Sequence, residues 1–255
     1  MDAQQDYTQA FAEEKPKKKS KKPLIAIIII IAAAVIIGIA FAGIEISNEK
    51  QRQAINAEID AINSIVDVEY YEDADRDALY SHLNSRVSSG KYAPAEDAAK
   101  DYLIEFYDGV FGLIDTLNDD RASNLLSAEN IKNDGPQFTE TRQYISELKA
   151  AINNEKESAV KMLSAEGVAE NAQEAGLSGD ALSFYNEIME ISDTVAEDSE
   201  YVKSLDEMLE TLSYYEEAIN LLSDNAKDWE VEGDTVYFDS QAVLDEYNAI
   251  CEKIG

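Results

Sequence analysis

The chain has 255 residues, with 52 Asp and Glu against 21 Lys and Arg, one histidine, one cysteine and a formal net charge of −31 at pH 7. Such a negative balance repels DNA, RNA and anionic lipid, which excludes nucleic-acid binding. The lone cysteine leaves no internal disulfide, so a fold has to be held by packing.

The charge is unevenly placed. Lys15, Lys17, Lys18, Lys19, Lys21 and Lys22 outnumber four acids in a basic tail, residues 1–23, at +2, which leaves −33 for the remainder. From Leu24 to Ile44 run 21 residues with no charged or strongly polar side chain. As a helix they would reach about 31 Å, the thickness of a bilayer core. A helix apolar all round has no solvent face, so 24–44 is predicted to span a membrane and contact its lipid. Positive flanks stay cytoplasmic, which places the N-terminus inside, the C-terminal part outside, and Lys15 to Lys22 against anionic headgroups. Ala40-Phe41-Ala42 before Gly43 has the small-x-small form of a signal cleavage site, with cleavage after Ala42. The apolar run exceeds the ~7–15 residues of a signal core, so a retained anchor is the expectation. No second such run follows, and the chain should cross once.

Residues 45–70, with Ile46, Ala54, Ile55, Ile62 and Ile65 among polar residues, are expected to continue outward as a stalk helix. Residues 71–255 are expected to form an extracellular acidic helical domain. "EDADRDALYSHLNSRV" reads as a helix whose first turn is loaded with acids, as the helix dipole favours. From Pro94, Leu103, Phe106, Val110, Leu113 and Leu117 recur at steps of three and four, the clearest helical stripe in the chain. The pattern breaks between Asp119 and Gly135, where "NDG" marks a turn. After Pro136, Phe138, Ile145, Leu148, Ile152, Ala159 and Leu163 form one face, and "GVAENAQEAGLSGD" reads as a loosened connector. From Ala181 to Ser223 the stripe runs through Tyr185, Ile188, Ile191, Val195, Val202, Leu205, Leu209, Leu212, Ile219 and Leu222. That segment is one long helix or two joined near "EDSE".

Residues 228–238 differ. Trp229 and Val231 alternate with acids, turn at Gly233-Asp234 and return through Val236 and Phe238, the pattern of a small β-hairpin. A hairpin this small has to lie against helices. A closing helix carries Val243, Tyr247, Ile250 and Ile254 on one face, capped by Asp239 or Ser240. The fold class is therefore all-α: a single N-terminal transmembrane helix, then an antiparallel helical bundle with a small β-hairpin near the C-terminus.

Chemistry-bearing patterns are sparse. Asp73, Asp75 and Asp77 imitate the start of a calcium loop, but Ala78 stands where a glycine is needed and Asn84 where a bidentate Glu is. His82 has no second histidine or nearby cysteine, so neither a zinc site nor a Ser-His-Asp set assembles from recognised spacings. Cys251 adjoins the apolar face of the last helix and reads as a structural thiol, with an intermolecular disulfide as the alternative. Gly109 and Gly112 are costly within a helix and suggest a close crossing or a kink. No metal, no cofactor and no catalytic residue are expected. With 48 acids beyond the span, carboxylate pairs arise by chance and carry no argument for hydrolysis.

Thirteen tyrosines beyond the span are the compositional oddity, and a rigid ring with a polar tip suits contact with proteins or glycans. Tyr214, Tyr215, Trp229, Tyr237 and Phe238 are the candidate partner contacts. The expectation is a non-enzymatic interaction or structural module of a Gram-positive bacterial cell envelope, engaging an envelope protein or glycan. The alternative is the ectodomain of a sensory or regulatory membrane protein working with a partner.

Overall fold

The computed structural model describes residues 49–66, 73–189 and 199–254, and these are mostly helical with one two-stranded hairpin. The expected tail 1–23 and span 24–44 lie outside the described residues, as do Tyr70, Tyr71, Ile191 and Val195. Among the described residues no helix is long and apolar enough to cross a membrane.

In chain order the elements are α1 (Glu49–Val66), α2 (Asp73–Leu83), a 3-10 turn (Gly90–Tyr92), α3 (Ala93–Leu117), α4 (Asp120–Ser123) and α5 (Ala128–Asp134). Then follow α6 (Thr139–Met162), α7 (Ala165–Glu174), α8 (Gly179–Ile188), α9 (Glu200–Asp224), β1 (Trp229–Glu232), β2 (Thr235–Phe238) and α10 (Gln241–Ile254). Local chemistry sets the boundaries. The hydroxyls of Ser127, Ser164 and Ser199 accept from the backbone N–H of Asn130, Gly167 and Val202, which satisfies orphan donors at the starts of α5, α7 and α9. Pro94 sits in the first turn of α3, where its missing N–H costs nothing.

Polar contacts fix the directions of the long helices. Arg76 meets Asp115 at 3.1 Å while Lys100 reaches the Ser85 carbonyl at 2.9 Å, so α2 runs against α3. The Tyr102 hydroxyl donates to the Met162 carbonyl at 3.1 Å, and Arg121, just past α3, lies 4.1 Å over the Tyr144 ring, so α6 runs against α3 as well. Lys149–Glu216 at 2.6 Å and Lys156–Asp206 at 2.5 Å set α9 antiparallel to α6. The first half of α3 is flanked by α8, which also holds the 3-10 turn before α3 through Lys91–Asp180 at 2.6 Å and the rings of Tyr92 and Phe184.

Between these helices Phe106, Val110, Leu113 and Leu117 join Ile145, Leu148 and Ile152 and Leu205, Leu212, Ile219 and Leu222 in one buried cluster. Each such side chain contributes about 1.5–3 kcal/mol when fully buried. The described residues of the stripes read from the sequence are thus mostly core residues, Leu209 being half-buried, with two further local departures. Leu103 is half-buried and lines a cleft, and Phe138 precedes α6 in the left-handed region at φ 53°, its ring wholly buried. The Asp134 carboxylate holds that bend by accepting from the backbone N–H groups of Glu140 and Thr141.

Two segments differ from their sequence reading, and a third settles between its alternatives. The described part of the expected stalk, α1, is packed into the domain: Ile55 and Ile62 are buried in the same cluster as the rest. Their spacing of seven puts both on one face, which covers α2 and α3 instead of standing free. The expected connector after Ala165 is largely the helix α7, seated by buried Val168 and Ala172. In the 181–223 stripe the described residues fall in two helices, α8 closing at Ile188 with Met189 as its cap and α9 starting from the Ser199 cap within "EDSE", the second of the two arrangements the sequence allowed.

The hairpin pairs Trp229 with Phe238 and Val231 with Val236. Its two-residue loop has positive φ only at Gly233 (+60°), the pattern of a type II′ turn. Trp229, Val231, Val236 and Phe238 face inward against the core. Trp229 lies against Gly135, where a Cβ would come within 2.9 Å of the indole, and donates its N–H to the Leu222 carbonyl at 2.7 Å.

Candidate functional site

The five candidate contact residues do not form one open cleft. Trp229 and Phe238 are half-buried on the inner face of the hairpin, the first near Phe138 and the second with its ring centroid 5.2 Å from that of Tyr247. Tyr214 and Tyr215 lie half-covered between α9 and α10. The Tyr214 hydroxyl bonds the Glu210 carboxylate, which raises its pKa, and the Lys253 ammonium sits 5.0 Å from its ring. Burial pushes the Tyr215 and Tyr247 hydroxyls up too, so both stay protonated beside half-buried Cys251. Tyr237 alone projects outward. At 51% exposure it is the one large hydrophobic exposed among the described residues. It pairs across the strands with Glu230, and Glu232, Thr235 and Asp234 complete an acidic, hydroxyl-bearing outer face around it.

A second constellation escaped the sequence reading entirely. Lys100 of α3 is 8% exposed, and its ammonium donates to Glu58 of α1 at 2.7 Å and to the carbonyls of His82 and Ser85 at 2.9 Å each. It also pairs with Glu96 one turn earlier, at 3.0 Å. Glu96 accepts from the backbone N–H of Val87 and Ser88, and Glu58 from the Ser85 hydroxyl at 3.0 Å. His82 stands 3.0 Å from the other Glu58 oxygen through Nδ1. Burial raises both carboxyl pKa values, but these hydrogen bonds outweigh it and hold Glu58 and Glu96 below the usual carboxylate range. So His82, for which recognised spacings offered no partner, meets Glu58 at the edge of a largely buried ion-pair network. No spacing announces this, because its members come from three helices and a loop.

Above the network lies an apolar cleft of about 50 Å³. Ile55, Ile59, Leu103, Phe184 and Ile188 line it, and the buried Asn63 Oδ1 beside it has no hydrogen-bond partner among the described residues. A polar cleft of about 340 Å³ opens between α4, α5 and the start of α6. Two of its donor side chains are spent internally, while the buried Tyr144 hydroxyl has no hydrogen-bond partner among the described residues. Arg121 is held by Asp119, while the Asn130 side chain donates to the Leu125 carbonyl and the Thr141 hydroxyl. Asp120, Glu129 and Glu140 make its walls acidic.

Among the described residues no group of three His, Cys, Asp or Glu side chains is arranged to hold a metal ion. Asp75 and Asp77, from the imitation calcium loop, belong to the first turn of α2. No family model, curated protein or solved structure matches the chain.

Proposed function

We propose that this chain is a single-pass membrane protein whose acidic helical domain lies outside the cell, as a non-enzymatic interaction or structural module of a Gram-positive bacterial envelope. The membrane part of the reading rests on the 21-residue apolar run 24–44 and the lysines before it. The observation that carries the interaction part is the hairpin. Its inner residues anchor it to the core while its outer face presents Tyr237 to solvent, an amphipathic ring with few rotatable bonds and acceptors on either side. A partner of matching chemistry offers hydrogen-bond donors or positive charge around an apolar spot, as a basic protein surface or an envelope glycan does.

Two measurements test the two parts. Protease treatment of whole cells should remove the C-terminal domain, and its full protection would overturn the sidedness. A photo-crosslinking residue at position 237, compared with one at exposed Glu246 of α10, should give a recurrent adduct only at 237. Equal labelling at both, or none at 237, would overturn the hairpin as the contact face.

A further inference from the structure

A half-buried carboxyl that none of the preceding features uses sits where three helices meet. Glu155 extends from the middle of α6 toward Gly109 of α3 and Tyr201, in the first turn of α9. Gly109 makes the room: a Cβ there would lie 2.5 Å from Glu155 Oε2. Tyr201 is wholly buried, packs edge-on to Phe106, and donates its hydroxyl to Glu155 Oε1 at 2.9 Å. That is the one hydrogen bond the carboxyl receives among the described residues.

The charges around it are engaged elsewhere. On α6 itself Lys156 pairs with Asp206 of α9, and Lys149 with Glu216. On α3, Asp108 takes the Tyr80 hydroxyl and Glu105 is exposed. On α7, Glu170 pairs with Lys161, and Glu166 lies beyond it. On α9, Lys203 follows Tyr201, and the acids of α5 lie at the far end of α6. Among the described residues no cation is placed to offset a charge on Glu155. Burial pushes its carboxyl up to about 7, and the Tyr201 bond opposes only part of that rise.

We infer that the Glu155–Tyr201 contact is a proton-dependent latch holding the first turn of α9 on α6, closed while the carboxyl carries its proton and loosened when it ionises. An ionised carboxylate with one donor, against a glycine and aromatic rings, gains by turning toward water, and α9 then loses its anchor. Tyr201 keeps its own proton throughout, because burial beside Glu155 raises it far above neutral. The sign follows from linkage. A raised carboxyl favours the closed form fully below its ordinary value of 4.5, and the advantage is gone once pH has risen through about 7. Across that window opening releases a proton, so its equilibrium constant rises ~10-fold per pH unit and levels off above.

Hydrogen exchange of the full chain in detergent, corrected for the intrinsic pH dependence of exchange, reads the opening directly. Amides of residues 200–206 should lose protection from pH 5 to 7, while Glu155→Gln, whose amide cannot ionise, should hold constant protection. Tyr201→Phe deletes the contact itself and should leave residues 200–206 less protected than in wild type already at pH 5. Identical pH profiles for wild type and Glu155→Gln, or a loss spread evenly over α3, α6 and α10, would overturn the latch. Should Glu155→Gln fail to fold, a carboxyl-carbon NMR titration of wild type decides: an inflection near 7 supports the latch and one below 5 refutes it.

Discussion

Lys100→Met removes the centre of the buried ion-pair network and leaves its carboxylates in place. The two that lose their cation, Glu58 and Glu96, have side chains 10% and 7% exposed. Glu96 keeps two backbone N–H donors, and Glu58 keeps Ser85 and His82, so neither is left bare. Both are still buried charges without compensation, and breaking such a pair costs about 3–5 kcal/mol. A domain of this size loses ~2–4 °C of melting temperature per kcal/mol, so the midpoint should fall by about 6–20 °C. Urea unfolding followed by circular dichroism and by Trp229 fluorescence gives the free energy, and coincident curves show that one transition is being measured. The triple variant Glu58→Gln/Glu96→Gln/Lys100→Met has no charge to strand and should recover most of the loss. A single-variant cost below ~1 kcal/mol, typical of exposed pairs, would refute the reasoning.

The same network predicts an acid limb. Glu58 and Glu96 are held below 4.5, so their contribution is present above that value and disappears as pH falls through their lowered range; the triple variant should lack this loss in acid-unfolding curves. Trp229→Ala should cost about 3 kcal/mol by detaching the hairpin, whereas Tyr237→Ala should stay within ~0.5 kcal/mol and abolish only the adduct formed at the outer face; urea midpoints separate the two. Gly112→Ala, with nothing within 4 Å of the added carbon, should stabilise α3 by up to ~1 kcal/mol in thermal melts. Gly167→Ala should destabilise by ~1–3 kcal/mol, because its Cβ would drive into the Lys161 backbone carbonyl, which cannot swing aside.

The core was legible because its signal is local. Phe106, Val110, Leu113 and Leu117 lie on one helical face whatever that face meets, and the alternation from Trp229 to Phe238 defines the hairpin by itself. The α7 segment was misread because only Val168 and Ala172 point inward from a polar, glycine-flanked run, too few for a stripe. Seating α1 in the core required knowing that Glu58 meets Lys100, 42 residues away. Glu155 was hidden for a related reason. It stands in "NNEKES", a wholly polar run, and only Gly109 and Tyr201, from distant segments, half-cover it. Of the candidate contacts, the sequence named the hairpin aromatics together, but the inward or outward sense of each follows from strand register against the core, and that left Tyr237 alone outside.

The seating of α1 bears on what a single cut in the chain would do. A free tether can be clipped without harm to what it carries, but here the segment nearest the start of the described chain supplies Ile55, Ile62 and the Glu58 carboxylate to the interior. A cut between α1 and α2 that lets α1 drift away would strip the wall from the apolar cleft and strand the Lys100 ammonium with a single acid. The remainder would be a weakened body, with its apolar cleft opened and more of its backbone within reach of proteases.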